Sequence, residues 1–281
     1  MAGVQFGWLV SYPKSGNTWM RMMLSSLMSG GGSVDINAID SRIGIATFAE
    51  MDEFLGVESC ELTREEIAIA RPALHAAIAA DHDEPLILRK VHDRYWRTPS
   101  GGAAFVPDIS RGAVYLVRDP RDIAVSYSHH RGSEIDRMIG QMADDDVALA
   151  SATLRGKEQL PQPLGSWNGH VLSWLDQTEI PTLAMRYEDM LSAPTACLAK
   201  VAMHLGIDTA EAHLHAAVVA TGFDILSIQE NASGFRERQT SAMAAFFRQG
   251  RSGGWREQLS AAQADRIVDR HGAVMARFGY L

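Results

Sequence analysis

The stretch YPKSGNTW, residues 12–19, decides the fold that this sequence predicts. The apolar run 6–10 before it has the length and composition of a buried strand, and residues 20–28 after it are rich in helix formers. A tight loop between a strand and a helix binds anions, because the loop amides and the helix N-terminus point to one place. Lys14 adds a positive charge there, so the stretch predicts a phosphate-binding loop.

This loop differs from a Walker A loop, G-x-x-x-x-G-K-[ST], which ends in its lysine and a Mg²⁺-binding hydroxyl. Here Lys14 precedes the glycine and an aromatic residue closes the motif. The loop resembles the 5′-phosphosulfate loop of sulfotransferases that use 3′-phosphoadenosine 5′-phosphosulfate (PAPS). On these residues alone, an ordinary strand–turn–helix connection that carries a lysine is the alternative. The resemblance implies that the donor is bound by Lys14, Ser15, Gly16, Asn17, Thr18 and Trp19.

Length and composition set outer limits on the function. A chain of 281 residues with 34 acidic and 26 basic residues, net charge −8, disfavours a general nucleic-acid partner. The cysteines, Cys60 and Cys197, are too few for a disulfide scaffold and lack metal-ligand spacing. No signal-peptide pattern precedes the loop, and no stretch approaches 18 consecutive apolar residues. We therefore expect a cytoplasmic protein without a membrane span.

Residues 85–92, PLILRKVH, predict a second buried strand that ends in Lys90 and His92. Ligands of doubly wound sheets bind at the carboxyl ends of strands, so both side chains are expected beside Lys14. Sulfotransferases usually carry K-x-H here, which implies His92 as the catalytic base and Lys14 and Lys90 as further catalytic residues. A hydrogen-bonded structural histidine is the alternative. The family often continues with an apolar residue and proline, whereas residues 93–96 are DRYW, a departure at the acceptor mouth.

Residues 112–126, GAVYLVRDPRDIAVS, predict a third strand, a turn and a helix. The run resembles the 3′-phosphate motif of the same family, R-[ND]-P-[RK]-D-x-x-x-S. The resemblance implies that Arg118 binds phosphate oxygens through its planar guanidinium and that Ser126 adds a hydroxyl. A solvated charged face is the alternative. The following His129 and His130 lack a ligand partner at metal spacing and are predicted to be solvated loop residues.

Residues 182–190, TLAMRYEDM, predict a fourth strand with a charged end. The matching Y-E-D-[ML] of the family places a tyrosine near the adenine; for Tyr187 a buried hydroxyl bonded to the backbone is an equal alternative. Further on, TGF resembles the family loop whose aromatic stacks on the adenine. Thr221 and Phe223 are therefore expected at the donor, with Trp19 on the opposite face of the base.

Residues 246–256, FFRQGRSGGWR, resemble the family's C-terminal [FM]-x-R-K-G-x-x-G-x-W-[KR], whose arginine and backbone amides grip the 3′-phosphate. A glutamine replaces a frequent lysine, which removes one charge but leaves the arginine and the glycine-rich nest. The K-x-x-x-T-V-x-x-x-E segment that pairs subunits in animal cytosolic sulfotransferases is not found near here, so the oligomeric state stays open. The resemblance implies donor contacts from Phe247, Arg248, Gln249 and Gly250.

The motifs span residues 12–256, so the resemblance covers nearly the whole chain. It implies one sulfotransferase domain over residues 1–281, with an α/β, P-loop-like fold in which helices flank a central parallel sheet. Segments 34–62 and 132–163 carry no motif. We expect them to form the acceptor site or a lid over it.

The resemblance implies transfer of a sulfuryl group from PAPS to a hydroxyl of a small molecule, such as a natural product, glycopeptide, lipid or sugar. The transfer would be in-line with His92 as general base, and adenosine 3′,5′-bisphosphate (PAP) would be the second product. Lysines would neutralise charge as Mg²⁺ does in NTPases, so no metal is predicted. Two alternatives remain: a P-loop-type kinase or NTPase, and a nucleotide-binding module without turnover.

Overall fold

The computed structural model describes residues 4–39, 43–150, 159–242 and 244–281. Its strands are β1 (Gln5–Ser11), β2 (Leu86–Val91), β3 (Ser110–Val117), β4 (Ala148–Leu149), β5 (Gln162–Pro163) and β6 (Thr182–Arg186). A four-stranded parallel sheet with the order β2-β1-β3-β6 forms the centre, and β4 pairs with β5 in a separate antiparallel ribbon. The predicted α/β fold with a central parallel sheet is confirmed. All four predicted strands are present.

Helices connect most of these strands and follow the last of them. They are α1 (Asn17–Met28), α2 (Phe48–Leu55), α3 (Arg64–Asp81), α4 (Pro120–Arg131), α5 (Ile135–Ala143), α6 (Trp167–Leu175), α7 (Tyr187–Ser192), α8 (Pro194–Leu205), α9 (Glu211–Ala220), α10 (Phe223–Ser233) and α11 (Ala261–Arg277). The fourth predicted strand ends at Arg186, earlier than expected, because α7 begins at the next residue. Within the described ranges, no helix combines the length and apolar character needed to cross a bilayer.

Strand β1 lies between β2 and β3 in the sheet. Its side chains alternate between the two faces and therefore enter two different core clusters. Phe6, Trp8 and Val10 belong to a buried cluster to which α3, α6 and α11 contribute. Leu9 belongs to a second cluster, built with α1, α8 and α9. Helices therefore cover both faces. Burial on both sides explains why strands β1 and β3 read as continuous apolar runs.

Helix α3 continues through Pro72, although a proline ordinarily breaks a helix or begins one. A proline inside a helix removes one backbone hydrogen bond and disfavours the preceding turn. Here the face formed by Ile67, Leu74 and Ile78 is buried in the core, and this packing outweighs the local loss.

The first part of segment 132–163, which was expected to form the acceptor site or a lid over it, is a packed helix. Met138, Ile139 and Met142 of α5 are buried in the same core cluster as β1. Residues 151–158 lie outside the described residues, as do residues 40–42 of the segment 34–62. For those parts, the acceptor site or lid stays a prediction.

The two segments without a motif meet at the edge of β2. Thr47 forms an antiparallel bridge with Gln159. The Lys90 amide of β2 donates a hydrogen bond to the Gly44 carbonyl at 2.9 Å. Both segments are therefore held beside the strand that carries the predicted catalytic residues.

Candidate functional site

A cavity of ≈ 1330 Å³ opens at the carboxyl ends of the central strands. All the predicted site residues fall in the described ranges, and all except Ser15 and Thr221 line this cavity. Those lining it are Lys14, Gly16, Asn17, Thr18, Trp19, Lys90, His92, Arg118, Ser126, Tyr187, Phe223, Phe247, Arg248, Gln249 and Gly250. Motifs that are far apart in the sequence thus converge on one space large enough for a nucleotide and a second small molecule.

The loop between β1 and α1 has a conformation that few side chains tolerate. Lys14 has φ 69° and Gly16 has φ 94°, both in the left-handed region. The Lys14 carbonyl accepts a hydrogen bond from Arg118 Nη1 at 3.0 Å. A Cβ added to Gly16 would lie 2.6 Å from Tyr187 Cδ2, so only glycine fits. Backbone strain of this kind is typical of ligand-binding loops, and it directs the N-terminus of α1 at the cavity.

Several side chains of this loop already have partners within the protein. Asn17 Nδ2 donates to the Leu9 carbonyl at 3.0 Å, and Thr18 Oγ1 donates to Glu237 Oε2 at 3.0 Å. Ser15 is fully buried, and its hydroxyl has no hydrogen-bond partner among the described residues. The side chains of Asn17 and Thr18 thus tie the loop to its surroundings, which leaves the backbone amides to face an anion.

Thr221 contacts Trp19, which lines the cavity. Its carbonyl accepts a hydrogen bond from Trp19 Nε1 at 3.0 Å, and its hydroxyl donates to the Ala217 carbonyl at 2.8 Å. Thr221 therefore positions the Trp19 ring on the cavity wall without lining the cavity itself. Tyr187 lies near the same ring, with centroids 6.3 Å apart in an edge-to-face arrangement.

Lys14 is the most perturbed cation of the cavity. Burial, followed by the positive charge of Arg118, lowers the pKa of Lys14 to about 7. The Phe246 ring lies over the ammonium, with its centroid 3.8 Å from Nζ. A buried ammonium surrounded by other cations is stabilised by any anion that binds beside it.

His92 has the tautomer and charge that a general base needs. Its Nδ1 lies 2.8 Å from the Ser11 carbonyl, which can only accept, so the proton resides on Nδ1. Nε2 is then left with a lone pair. Burial, followed by the charge of Lys90, lowers the pKa of His92 to about 3, which keeps the ring neutral at pH 7. A neutral imidazole with an unprotonated Nε2 can accept the proton of a hydroxyl.

A cluster of arginines, Arg118, Arg248 and Arg251, also lines the cavity. Arg118 Nη2 donates to the Arg251 carbonyl at 3.0 Å, and its guanidinium lies 4.3 Å from the centre of the Tyr187 ring. Burial, followed by the charges of Arg118 and Arg251, lowers the pKa of Arg248. Like charges this close favour binding of an anion between them.

The C-terminal segment is fixed to α4 by one carboxylate. Asp122 accepts hydrogen bonds from the amides of Gly253 at 2.7 Å and Trp255 at 2.9 Å. Gly250 has φ 57°, and a Cβ there would lie 2.5 Å from Phe223 Cδ2, so glycine permits the close approach of this aromatic ring. The segment thereby becomes a wall of the cavity.

The Sulfotransferase domain family matches residues 7–279 of this chain. The chain belongs to the sulfotransferase family. It is 25% identical to rat Sulfotransferase 1A1 over 280 residues, which cover 93% of this chain and 81% of the rat protein. It is 26% identical to rat Sulfotransferase 2A6 over 156 residues, 54% of this chain and 52%, or about half, of that protein.

The structure of mouse sulfotransferase SULT7A1 complexed with PAP has a similar fold. It superposes with a TM-score of 0.58 at 20% identity and covers 95% of this chain and 84% of the mouse chain. The family and the fold that the sequence motifs implied are thereby confirmed for this sulfotransferase.

Many residues that line the cavity of this sulfotransferase were given no role by the sequence motifs, among them His130, Glu237 and Phe246. His130 was predicted to be a solvated loop residue, which is wrong. It lies in the last turn of α4, and burial, followed by the charge of Lys14, lowers its pKa to about 3. Phe246 was quoted in the C-terminal motif but not assigned a contact. Glu237 belongs to no motif.

The carboxylates near the cavity are engaged with protein groups. Asp93 pairs with Arg71 and Asp119 with Arg121, while Asp122 accepts the two backbone amides described above. Within the described ranges, His, Cys, Asp and Glu form no group of three or more suited to a metal ion.

Proposed function

We propose that this chain transfers a sulfuryl group from PAPS to a hydroxyl of a small-molecule acceptor, with His92 as general base and PAP as the second product. The convergence of Lys14, Lys90, His92 and Arg118 on one cavity carries this proposal. Membership of the sulfotransferase family supports it, as does the PAP-bound state of the similar mouse structure.

The cavity has three regions that fit the three parts of PAPS. The loop with Lys14 and the N-terminus of α1 suits the phosphosulfate. The arginine cluster suits the 3′-phosphate, and the N–H of Arg118 Nε is buried without a hydrogen-bond partner among the described residues. Between them, Trp19, Tyr187 and Phe223 offer aromatic surfaces for the adenine.

The chemistry we assign to these residues is proton transfer and charge stabilisation. His92 Nε2 accepts the proton of the acceptor hydroxyl while the acceptor oxygen bonds to sulfur. The bond from sulfur to the bridging phosphate oxygen breaks, and that oxygen keeps the electron pair. Lys14 and Lys90 stabilise the negative charge on the leaving phosphate and the sulfuryl oxygens. Holding both reactants in one enclosed site supplies much of the remaining rate enhancement.

We assign the acceptor end of the cavity to segment 132–163, whereas no described residue of segment 34–62 lines the cavity. Gln141, Gln159 and Gln162 contribute amides, and residues 147–150 contribute mostly aliphatic surface. This lining suits an acceptor with an apolar body and a few hydrogen-bonding groups, in line with a small molecule.

Thermal unfolding with three additives tests the proposal. PAP at about 100 times its Kd should stabilise the protein by ~2.7 kcal/mol, or roughly 5–10 °C in Tm for a chain of this size. ATP with Mg²⁺ should shift Tm much less. The reverse result would favour a kinase or NTPase.

Turnover then separates an enzyme from a binding module. Purified protein with PAPS is assayed against 4-nitrophenol first, followed by a panel of alcohols, sugars and glycopeptides. Binding of PAP without transfer to any member of the panel would favour the module without turnover.

A further inference from the structure

Glu237 places a carboxylate among the cations at the donor end of the cavity. Its Oε1 lies 3.0 Å from Lys90 Nζ and pairs with the guanidinium of Arg21, while Oε2 accepts a hydrogen bond from Thr18 Oγ1 at 3.0 Å. The side chain is only 14% exposed. Burial disfavours its charged form, but Lys90 and Arg21 outweigh burial and hold the pKa of Glu237 well below its usual range.

This carboxylate has two possible relations to the donor. It could occupy an anion position that PAPS takes over, or it could remain while PAPS binds beside it. Arg21 decides between them. The Arg21 side chain is fully buried and is not among the described residues that line the cavity, so a nucleotide phosphate cannot replace Glu237 as its partner. Removing one partner of a buried ion pair is strongly destabilising, so the carboxylate stays.

If the Glu237 carboxylate remains in place when PAPS binds, it restricts where the Lys90 ammonium can lie. Lysine carries its ammonium on a flexible stem with three N–H donors, and one of these is directed to Glu237. Lys90 is in β2 and His92 follows the end of that strand; both side chains line the cavity, and the charge of Lys90 acts on the His92 ring. The anchor therefore holds the ammonium in the same cavity as the imidazole and leaves its other donors for a ligand.

We propose that Glu237 is a positioning residue that holds Lys90 in place for the sulfuryl group before the donor binds. The proposal rests on the proposed function and adds a residue that no sequence motif contains. The negative charge of Glu237 supports it, because it raises the pKa of Lys14 and His92 and so opposes the effect of Lys90 on both.

The test compares Glu237→Gln with the double variant Arg21→Met/Glu237→Gln, which removes both charges of this buried ion pair. Tm, Kd for PAP by calorimetry, and kcat with PAPS and 4-nitrophenol, or the fastest acceptor of the panel, are measured for each. We expect kcat to fall by about 10- to 100-fold in both variants, because the ammonium is misplaced, while Kd for PAP changes less than about fivefold. The double variant should regain much of the Tm that the single variant loses.

Lys90→Ala provides the second arm. If Glu237 acts through Lys90, adding Glu237→Gln to Lys90→Ala should lower kcat by less than about twofold more. Glu179→Gln, which removes an ion pair with Arg97 outside the cavity, is the control for loss of one negative charge and should leave kcat unchanged.

Three results would overturn this inference and leave the proposed function intact. Recovery of wild-type kcat in the double variant would mean that Glu237 only neutralises Arg21. Tightening of PAP binding by tenfold or more with kcat unchanged would mean that the carboxylate occupies the donor position. Independent losses in the Lys90→Ala background would remove Lys90 from the explanation. A wild-type protein that neither binds PAP nor transfers sulfuryl would overturn the proposed function and this inference with it.

Discussion

The His92 ring is neutral and carries its proton on Nδ1. Replacing His92 should therefore affect proton transfer more than nucleotide binding. We expect His92→Ala to lower kcat by about 10²–10⁴-fold, the usual effect of losing a general base. Kd for PAP should stay within a few-fold of wild type. Turnover at saturating PAPS and calorimetric titration with PAP check the two parts. A variant that keeps more than about a tenth of wild-type turnover would exclude His92 as the base.

Lys14 should link nucleotide binding to pH. Burial and Arg118 lower its pKa to about 7 in the free protein, Lys90 acts in the same direction, and Glu237 and Glu230 oppose them. A bound phosphate favours the charged form and raises the pKa, so binding takes up a proton above pH 7 and affinity falls as pH rises. PAP itself is fully ionised there, because its phosphates titrate near pH ~6.

Calorimetry of PAP binding at pH 8 in two buffers of different ionisation enthalpy measures this proton uptake. Lys14→Arg is the matched control, since an arginine stays charged throughout and should abolish the uptake. Wild-type binding without proton uptake at pH 8 would contradict the prediction.

Arg248 should distinguish PAP from adenosine 5′-monophosphate. If it binds the 3′-phosphate, Arg248→Ala loses a charge-assisted hydrogen bond of about 1.5–3 kcal/mol for PAP, or roughly 10- to 150-fold in Kd, and little for the monophosphate. Arg248 is a better position for this test than Arg118, because Arg118 also donates hydrogen bonds to the carbonyls of Lys14 and Arg251. Equal losses for the two nucleotides would place Arg248 elsewhere.

The role of Glu237 could not be predicted from the sequence. The cations of the motifs could be predicted because each follows an apolar strand and matches a family pattern. Glu237 lies among polar residues in no motif, and its partners Arg21 and Lys90 are 216 and 147 positions away in the sequence. Only the folded chain brings such groups together. His130 was missed for the same reason, since its burial comes from elements remote in sequence.

At the level of elements, Asp122 should control the C-terminal wall of the cavity. Asp122→Asn weakens the two hydrogen bonds that hold residues 253–255 to α4. We expect Kd for PAP to rise on the order of tenfold, as for the loss of one charge-assisted hydrogen bond, and amide exchange of residues 246–256 to become faster.

Asp136→Asn is the matched control, because its contacts with Arg266 and Gln263 are exposed and lie outside the cavity. Unchanged exchange of the C-terminal segment in Asp122→Asn would show that other contacts hold it.

The elements themselves were predictable wherever the apolar pattern was strong. Strands β1 and β3 appeared as short apolar runs because nearly all of their residues are buried. Helix α5 was overlooked beside the acidic residues 144–146, although Ile135, Met138, Ile139 and Met142 have helical spacing. At Pro72, tertiary packing overrides the local rule that a proline ends a helix.

For the whole molecule, the charge distribution predicts catalysis without a divalent metal. The carboxylates at the cavity are engaged, Asp122 with backbone amides and Glu237 with Lys90 and Arg21, while the strand ends supply cations. Turnover of 4-nitrophenol with PAPS should therefore agree within about twofold between excess chelator and millimolar Mg²⁺.

Lys14→Ala should lose activity that added Mg²⁺ does not restore. Loss of activity with chelator and recovery with metal would contradict the mechanism.

The distribution of the site along the chain has a consequence for biosynthesis. The loop at residues 12–19 is synthesised before the wall at residues 246–254, which follows more than 220 residues later. At about 5–20 residues per second, roughly 10 to 45 s separate the two. During this interval the nascent chain has an anion loop but only part of the nucleotide site. Nucleotide therefore cannot assist folding of the emerging sheet, which has to rely on its own apolar core.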